Sequence, residues 1–248
     1  MVEHSGDFVE GRPSLYVQGL FEQSLTKKHR LGTIRALEDG RVFAYARAGA
    51  ALAAGEATQA AAIDAYSTEV AVQAAAVVGD KYIYITYGGG ATAIADYYLD
   101  GFIGSVMPAQ GIGATYKIRG HLAMTSGATV KVNLYDAVRV ALTTSSKCTL
   151  VKHPQDNVIQ SIITTPTAVG TGVPPIAVTN AYYFWNQVKG VAQVLVNGTW
   201  VIGDALSPGG VAGALMPQAA VTDPIWAYCV RVGTDTRGGM VVLAIPGY

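Results

Sequence analysis

YYFWNQVKGVAQVLVNGTWVIGD, residues 182–204, is the stretch on which the fold reading turns. Side chains on a strand alternate between faces, so Tyr182, Phe184, Asn186 and Val188 share one face, and Tyr183, Trp185, Gln187 and Lys189 share the other. Gly190 permits a bend or bulge, and Val191–Val196 resumes the strand. Asn197-Gly198 has the residues of a type I′ turn, which predicts that Thr199–Ile202 returns as a hairpin partner. Beyond the loops at Gly203-Asp204 and Pro208-Gly209-Gly210, Ile225–Val232 and Met240–Ile245 read as two more strands. Residues 176–248 are therefore expected to form a C-terminal β-barrel-like module.

Working toward the N-terminus, the same alternation recurs. Thr33–Leu37 and Arg41–Arg47 flank Asp39-Gly40, a strong hairpin signal. Residues 48–79 are dense in Ala, which favours helix, but Gly49, Gly55, Gly79 and several valines interrupt them. Short strands with loops are expected there, and any helix is expected near Glu56–Tyr66. Lys81–Tyr87 reads as a plain strand. Residues 97–103, 114–122, 130–134 and 138–142 read as further strands, the last two as a pair about Tyr135-Asp136-Ala137. The Pro/Gly-rich run PTAVGTGVPP, 166–175, is the expected domain boundary. It closes a β-rich domain spanning 31–165. Residues 1–30, punctuated by Gly6, Gly11, Pro13 and Gly19, read as an extended irregular arm. The fold class is all-β, mainly antiparallel sandwich or barrel modules.

Half of the 248 residues are hydrophobic and only 14% are charged, where roughly 25% is usual. No run of about 18 apolar residues exists, so a membrane-spanning helix is excluded. The polar, acidic opening MVEHSGDFVEGRPS is not read as a signal peptide. Positive mean hydropathy, +0.30, instead suggests a surface partly covered by other subunits. The first 47 residues hold six acids and seven bases, whereas residues 153–248 hold only seven charges. Zero net charge argues against nucleic acid as the main partner. Cys148 and Cys229 lack metal-ligand spacing and read as packed, reduced thiols.

The chain carries none of the GxSxG, HExxH, P-loop or GxGxxG patterns. His4, His29, His121 and His153 lie apart from one another and from cysteine. His121 reads as a packed or hydrogen-bonded side chain. No catalytic residue, metal or cofactor is expected, and the protein is read as not an enzyme. A glycan hydrolase would require convergent carboxylates, for which Asp96 and Asp100 are examples of spatially possible partners. Two features suggest partner binding. One is the basic cluster Lys27, Lys28, His29 and Arg30, read as a solvated turn or as an anchor for an acidic neighbour. The other is the aromatic run at 182–185, in which at least half of the side chains must be core. Tyr183 and Trp185 are its partner-facing candidates, since Tyr and Trp are enriched at interfaces.

FEQSLTKKHRLGTIRALEDGRVFAYARAGAALAAGEATQ (21–59), YKIRGH (116–121), VNLYDAVRVALTTSSK (132–147) and YYFWNQVKGVAQVLVNGTWVIGDALSPG (182–209) together resemble virion structural proteins of tailed bacteriophages. The last of these also resembles small capsid decoration, or cement, proteins. The resemblance implies a homo-oligomer, a trimer in that family's pattern, bound to the major capsid protein. It further implies a place on the outer capsid surface of a virion assembled in the host cytoplasm, with no direct nucleic-acid or membrane contact. Greater length and the 1–30 arm depart from the smallest decoration proteins. A tail, head-fibre or adhesion module that binds host glycans is the alternative, and it requires the aromatics at 182–185 to be solvent-exposed.

Overall fold

The computed structural model describes residues 16–62, 65–88, 92–106, 111–162, 168–245 and 247. Among them are sixteen β-strands, one 3-10 turn (Ala65–Ser67) and no α-helix, so the chain is all-β, and the ladders between its strands are antiparallel. It divides into two compact units. Unit 1 combines residues 1–62 with 154–248, and unit 2 is the continuous stretch 63–153.

Unit 1 is built on a seven-stranded sheet in the order β1-β2-β12-β16-β15-β13-β14. Its strands are β1 (Ile34–Ala36), β2 (Val42–Arg47), β12 (Tyr183–Leu195), β13 (Ala205–Pro208), β14 (Leu215–Pro217), β15 (Ala227–Arg231) and β16 (Gly238–Ala244). The Asp39-Gly40 hairpin forms as expected, pairing Ile34 with Ala44 and Ala36 with Val42. β12 is the longest strand and runs thirteen residues through Gly190. It pairs with β2 on one side (Phe184 with Ala46, Trp185 with Tyr45) and with β16 on the other. The register shifts between Gln187 and Lys189. Gly190 has φ +85°, and a Cβ there would lie 2.9 Å from the Arg41 Cα. The bulge therefore depends on glycine for both conformation and space.

A second sheet, β10 (Ile159–Gln160), β3 (Thr58–Gln59) and β11 (Gly170–Gly172), belongs to the same unit. Leu52, Val158 and Val178 pack with Ala46 and Phe184, and Ala57 and Val173 pack with Val194, Trp226 and Leu243. One face of the large sheet is thereby covered.

Unit 2 contains β4 (Val70–Ala71), β5 (Tyr82–Thr86), β6 (Phe102–Ser105), β7 (Thr115–His121), β8 (Thr129–Leu134) and β9 (Lys147–Val151), in the order β4-β9-β6-β7-β8-β5. Val72, just past β4, bridges to Ile85 of β5, so the sheet curls until its two edges meet. Edge closure of this kind satisfies strand edges that would otherwise be open. Alternate residues point inward: Ile83, Ile85, Ile103, Tyr116, Ile118, Val132, Leu134 and Leu150 form one core.

Several sequence expectations are corrected. The boundary is not at 166–175, because β11 lies within that run and pairs with β3 while Val173 pairs with Gln187. Nor do 31–165 and 176–248 form separate domains: β1 to β3 share unit 1 with the C-terminal strands through the β2–β12 ladder. Thr199–Ile202 is not a strand. The partner of β12 is β16, and the backbone of Val196 bonds to Arg237 and Thr236, leaving Asn197-Gly198 in a loop. Residues 138–142 do not pair with β8, whose two edges are occupied by β5 and β7. They pair instead with 76–80, through Val138 with Asp80 and Leu142 with Ala76. The strand expected at 97–103 begins only at Phe102, since 95–100 form turns. Residues 48–79 form short strands with loops, as expected, with β3 and β4 among them, and the one helical turn among the described residues, Ala65–Ser67, starts at the end of 56–66.

Candidate functional site

Residues 16–30 do not extend away from unit 1; the first half of the expected arm, 1–15, lies outside the described residues. Ser24 and Tyr183 exchange backbone hydrogen bonds, Ser24 N donating to Tyr183 O at 3.0 Å and Tyr183 N to Ser24 O at 2.8 Å. The segment is thus tied to the start of β12. Thr179 N donates to Gln23 Oε1 at 2.7 Å, fixing it further.

Gln18 holds the segment's inner side. Its Nε2 donates to Glu22 O and Tyr183 O, and its Oε1 accepts from the Tyr45 hydroxyl at 2.7 Å. Its carbonyl accepts from the indole N–H of Trp185 and from Arg35 Nη1, both at 3.1 Å. A buried glutamine costs stability unless its groups are paired, and here the amide nitrogen, amide oxygen and carbonyl all are. Leu20 sits beside it in a cluster with Phe43, Tyr45 and Trp185.

Around this cluster lie stacked rings. Trp185 has Tyr16 at 5.2 Å, Tyr45 at 5.1 Å and His29 at 5.3 Å between ring centroids. Tyr183 stacks on Tyr45 with an interplanar angle of 8°. The Arg35 guanidinium lies 4.9 Å from the Tyr16 ring and 5.4 Å from that of Trp185. Contact with ring faces offsets part of the desolvation cost of this cation. Burial lowers the Arg35 pKa, raises that of Tyr45 and lowers that of His29.

The five partner-binding candidates converge on this place, but in different roles. Trp185 is 0% exposed. As a residue that touches a partner it is therefore corrected: its ring is the floor of the segment's seat. Tyr183 is half-buried and contributes stacking and backbone pairing. In the basic cluster, His29 packs inward, Lys28 donates its backbone N–H to the Tyr45 hydroxyl at 3.1 Å, and the side chains of Lys28 and Arg30 face solvent. Lys27 is half-buried. Phe184 is also fully buried, so the exposed aromatic platform required at 182–185 by the adhesion alternative is absent.

What the sequence reading missed is the outer side of the same segment. Val17, Phe21 and Leu25 are 77%, 61% and 65% exposed. They are three large apolar side chains within nine residues, beside Lys28 and Arg30. The signal in the sequence was their presence in a charged region without helical or strand period, which by itself separates no inner from outer side.

The other chemistry-bearing residues are satisfied structurally. Tyr98 N donates to His121 Nε2 at 3.0 Å, which leaves the ring proton on Nδ1, 2.7 Å from Leu122 O. Burial lowers the His121 pKa, with smaller opposing effects from Leu122 and Asp96. His153 packs against Phe102. Asp96 Oδ1 accepts from His121 N, and Asp100 Oδ1 accepts from the Tyr135 hydroxyl. Cys148 and Cys229 are buried free thiols, and burial pushes Cys148 up to about 11. Beneath β12, Asn186 Nδ2 donates to Thr58 Oγ1 and Thr171 O, and Gln155 Nε2 donates to Thr171 O. The ion pair Arg47–Asp156, 2.8 Å, joins β2 to the 154–158 loop. These polar groups join strands and loops of unit 1. Among the described residues no group of three or more His, Cys, Asp or Glu is placed to hold a metal, and no helix is long and apolar enough to cross a membrane. No family model, curated protein or solved structure matches this chain.

Proposed function

We propose that this protein is a virion structural protein, a decoration component that adds to the outer surface of a larger protein shell. In this reading residues 16–30 form the docking segment. The observation that carries the proposal is the two-sided character of that segment: Gln18, Leu20 and His29 are held by unit 1, while Val17, Phe21 and Leu25 face outward. Scattered exposed apolar residues are ordinary on protein surfaces, but a cluster of them marks an interaction site. A segment already ordered on its own sheet loses little further freedom on binding, which favours affinity. The partner is the major capsid protein, and self-association into trimers places several such segments on one particle. Low overall charge and the resemblance of 21–59 and 182–209 to decoration proteins support the same reading.

The test is co-sedimentation of the full chain with capsid shells that lack decoration. Wild type should pellet at saturating copy number. Phe21→Ser/Leu25→Ser should remain folded and fall to the background level. Undiminished coating by that variant would remove the segment from the mechanism, and absence of wild-type coating would overturn the proposal.

A further inference from the structure

On unit 2, a cup of about 400 Å³ lies among Lys81, Tyr82, Arg119, Asn133 and Leu134. We infer that this cup binds a carboxylated sugar, one uronic acid unit of an acidic glycan. The inference is independent of shell decoration.

The cup follows from a local irregularity. β7 and β8 pair Ile118 with Leu134 and Gly120 with Asn133, so Arg119 is the additional residue of a β-bulge. Gly120 has φ +152°, a conformation that other residues rarely adopt. Bulges re-aim side chains, and this one presents Arg119 to solvent beside β8. Across β8, Tyr82 lies in register with Asn133, and the backbone of Leu134 bonds to Lys81 O at 2.9 Å. Both cations therefore flank Asn133 on a paired framework.

Three properties specify the ligand. First, Arg119 and the Lys81 ammonium have no ion-pair or hydrogen-bond partner among the described residues. Elsewhere Arg41 pairs with Asp39, Arg47 with Asp156 and Lys147 with Glu69. The carboxylates of the adjacent turn, Asp96 and Asp100, are occupied by His121 N and the Tyr135 hydroxyl. An anion at the cup can thus meet a planar guanidinium fork, which matches a carboxylate in two-point geometry. Second, the Asn133 amide donates a long bond of 3.4 Å to Gly120 O, and its oxygen has no partner among the described residues. An amide oxygen accepts, so a ligand hydroxyl next to its anion can donate to the exposed Asn133 oxygen. Third, Tyr82 adds an aromatic ring to the lining, with Lys131 Nζ 4.2 Å from its centroid and the Tyr84 ring T-shaped to it at 5.5 Å. Such a ring suits the C–H face of a pyranose. A bare phosphate lacks the apolar face. The cup's volume falls in the usual range of small-ligand sites, about 300–1,000 Å³.

The experiment is calorimetric titration of the full chain with trigalacturonate, with neutral maltotriose and a ten-residue oligothymidylate as comparisons. Trigalacturonate should saturate one site per chain, and maltotriose should bind at least about tenfold more weakly, the cost of losing a charge-assisted contact. Arg119→Gln should weaken trigalacturonate about tenfold or more, and Arg119→Lys should restore part of it, because a lysine keeps the charge and loses the fork. Tyr82→Leu should also weaken it. Lys147→Gln, a cation outside the cup, should leave binding unchanged. Thermal melts of each variant establish that the fold is retained. The inference is overturned by lack of saturable trigalacturonate binding, by an equal loss in Lys147→Gln, or by tighter, steeply salt-dependent binding of the oligothymidylate.

Discussion

The two units use β-structure differently. In unit 2 alternation prevails: β8 reads exposed-buried along all six residues, β9 and β5 do nearly the same, and β7 breaks step only at its bulge. One face makes the core and the other meets solvent. In unit 1, the five residues from Phe184 to Val188 are all buried, as are the four from Phe43 to Ala46. At those residues the sheet is covered on both faces, by segments 48–62, 154–162 and 168–178 on one side and by residues 16–30 on the other, whereas β16 of the same sheet alternates. The difference teaches that a strand buried on both sides can be assembled from distant chain segments without a helix. The cost is that its covering pieces have no periodicity of their own.

The comparison can be broken first at Trp185. Trp185→Ala removes a fully buried indole and its bond to Gln18 O, and should cost about 3–5 kcal/mol of unit 1 stability. Calorimetry should show the unit 1 transition falling while that of unit 2 stays in place. Equal loss in both would mean that the units are not energetically separate. A smaller loss is expected at Gly190→Val, where a β-branched residue must adopt φ +85° against Arg41; about 1–3 kcal/mol is expected, again in unit 1 alone. A denaturant melt at matched conditions measures it.

For unit 2, His121 gives a pH dependence with a definite sign. Its folded pKa lies below the ordinary 6.5, so the unfolded chain takes up the proton first. Stability from this source is complete above about pH 6.5 and declines as pH falls below that value toward the folded pKa. The unit 2 midpoint should therefore drop between pH 7 and 5, and His121→Asn should flatten that part of the profile. A midpoint that rises on acidification contradicts the assignment. The smallest effect is expected at Phe21→Ser and Leu25→Ser. These exposed sites should change unit 1 stability by within about 0.5 kcal/mol, in contrast to Trp185 beneath them.

Legibility in the sequence followed the same division. The alternating strands at Tyr82–Thr86, Thr115–His121 and Thr129–Leu134 were visible because period-two burial is a local pattern. The Asp39-Gly40 turn was visible because its residues match its geometry. Asn197-Gly198 carried the same signal and failed, since β16 competes for the strand before it. The pairing of β2 with β12 joins residues about 140 apart, which no local pattern encodes, and this moved the domain boundaries. At the candidate site, composition singled out 27–30 and 183–185. Their convergence, and the inward role of Trp185, were not. Gln18 was invisible, because a polar side chain in an aperiodic stretch looks like a solvated loop until its partners are placed.

The central claim is that residues 16–30 face two ways, fixed to unit 1 by one side and offered to a shell by the other. Quantitative co-sedimentation with undecorated capsid shells tests it most directly, comparing wild type with Phe21→Ser/Leu25→Ser at equal folded concentration. The account predicts saturable coating by wild type and background levels for the variant, with unchanged melting of unit 1. Coating by the variant at wild-type levels, or no coating by wild type, would contradict it.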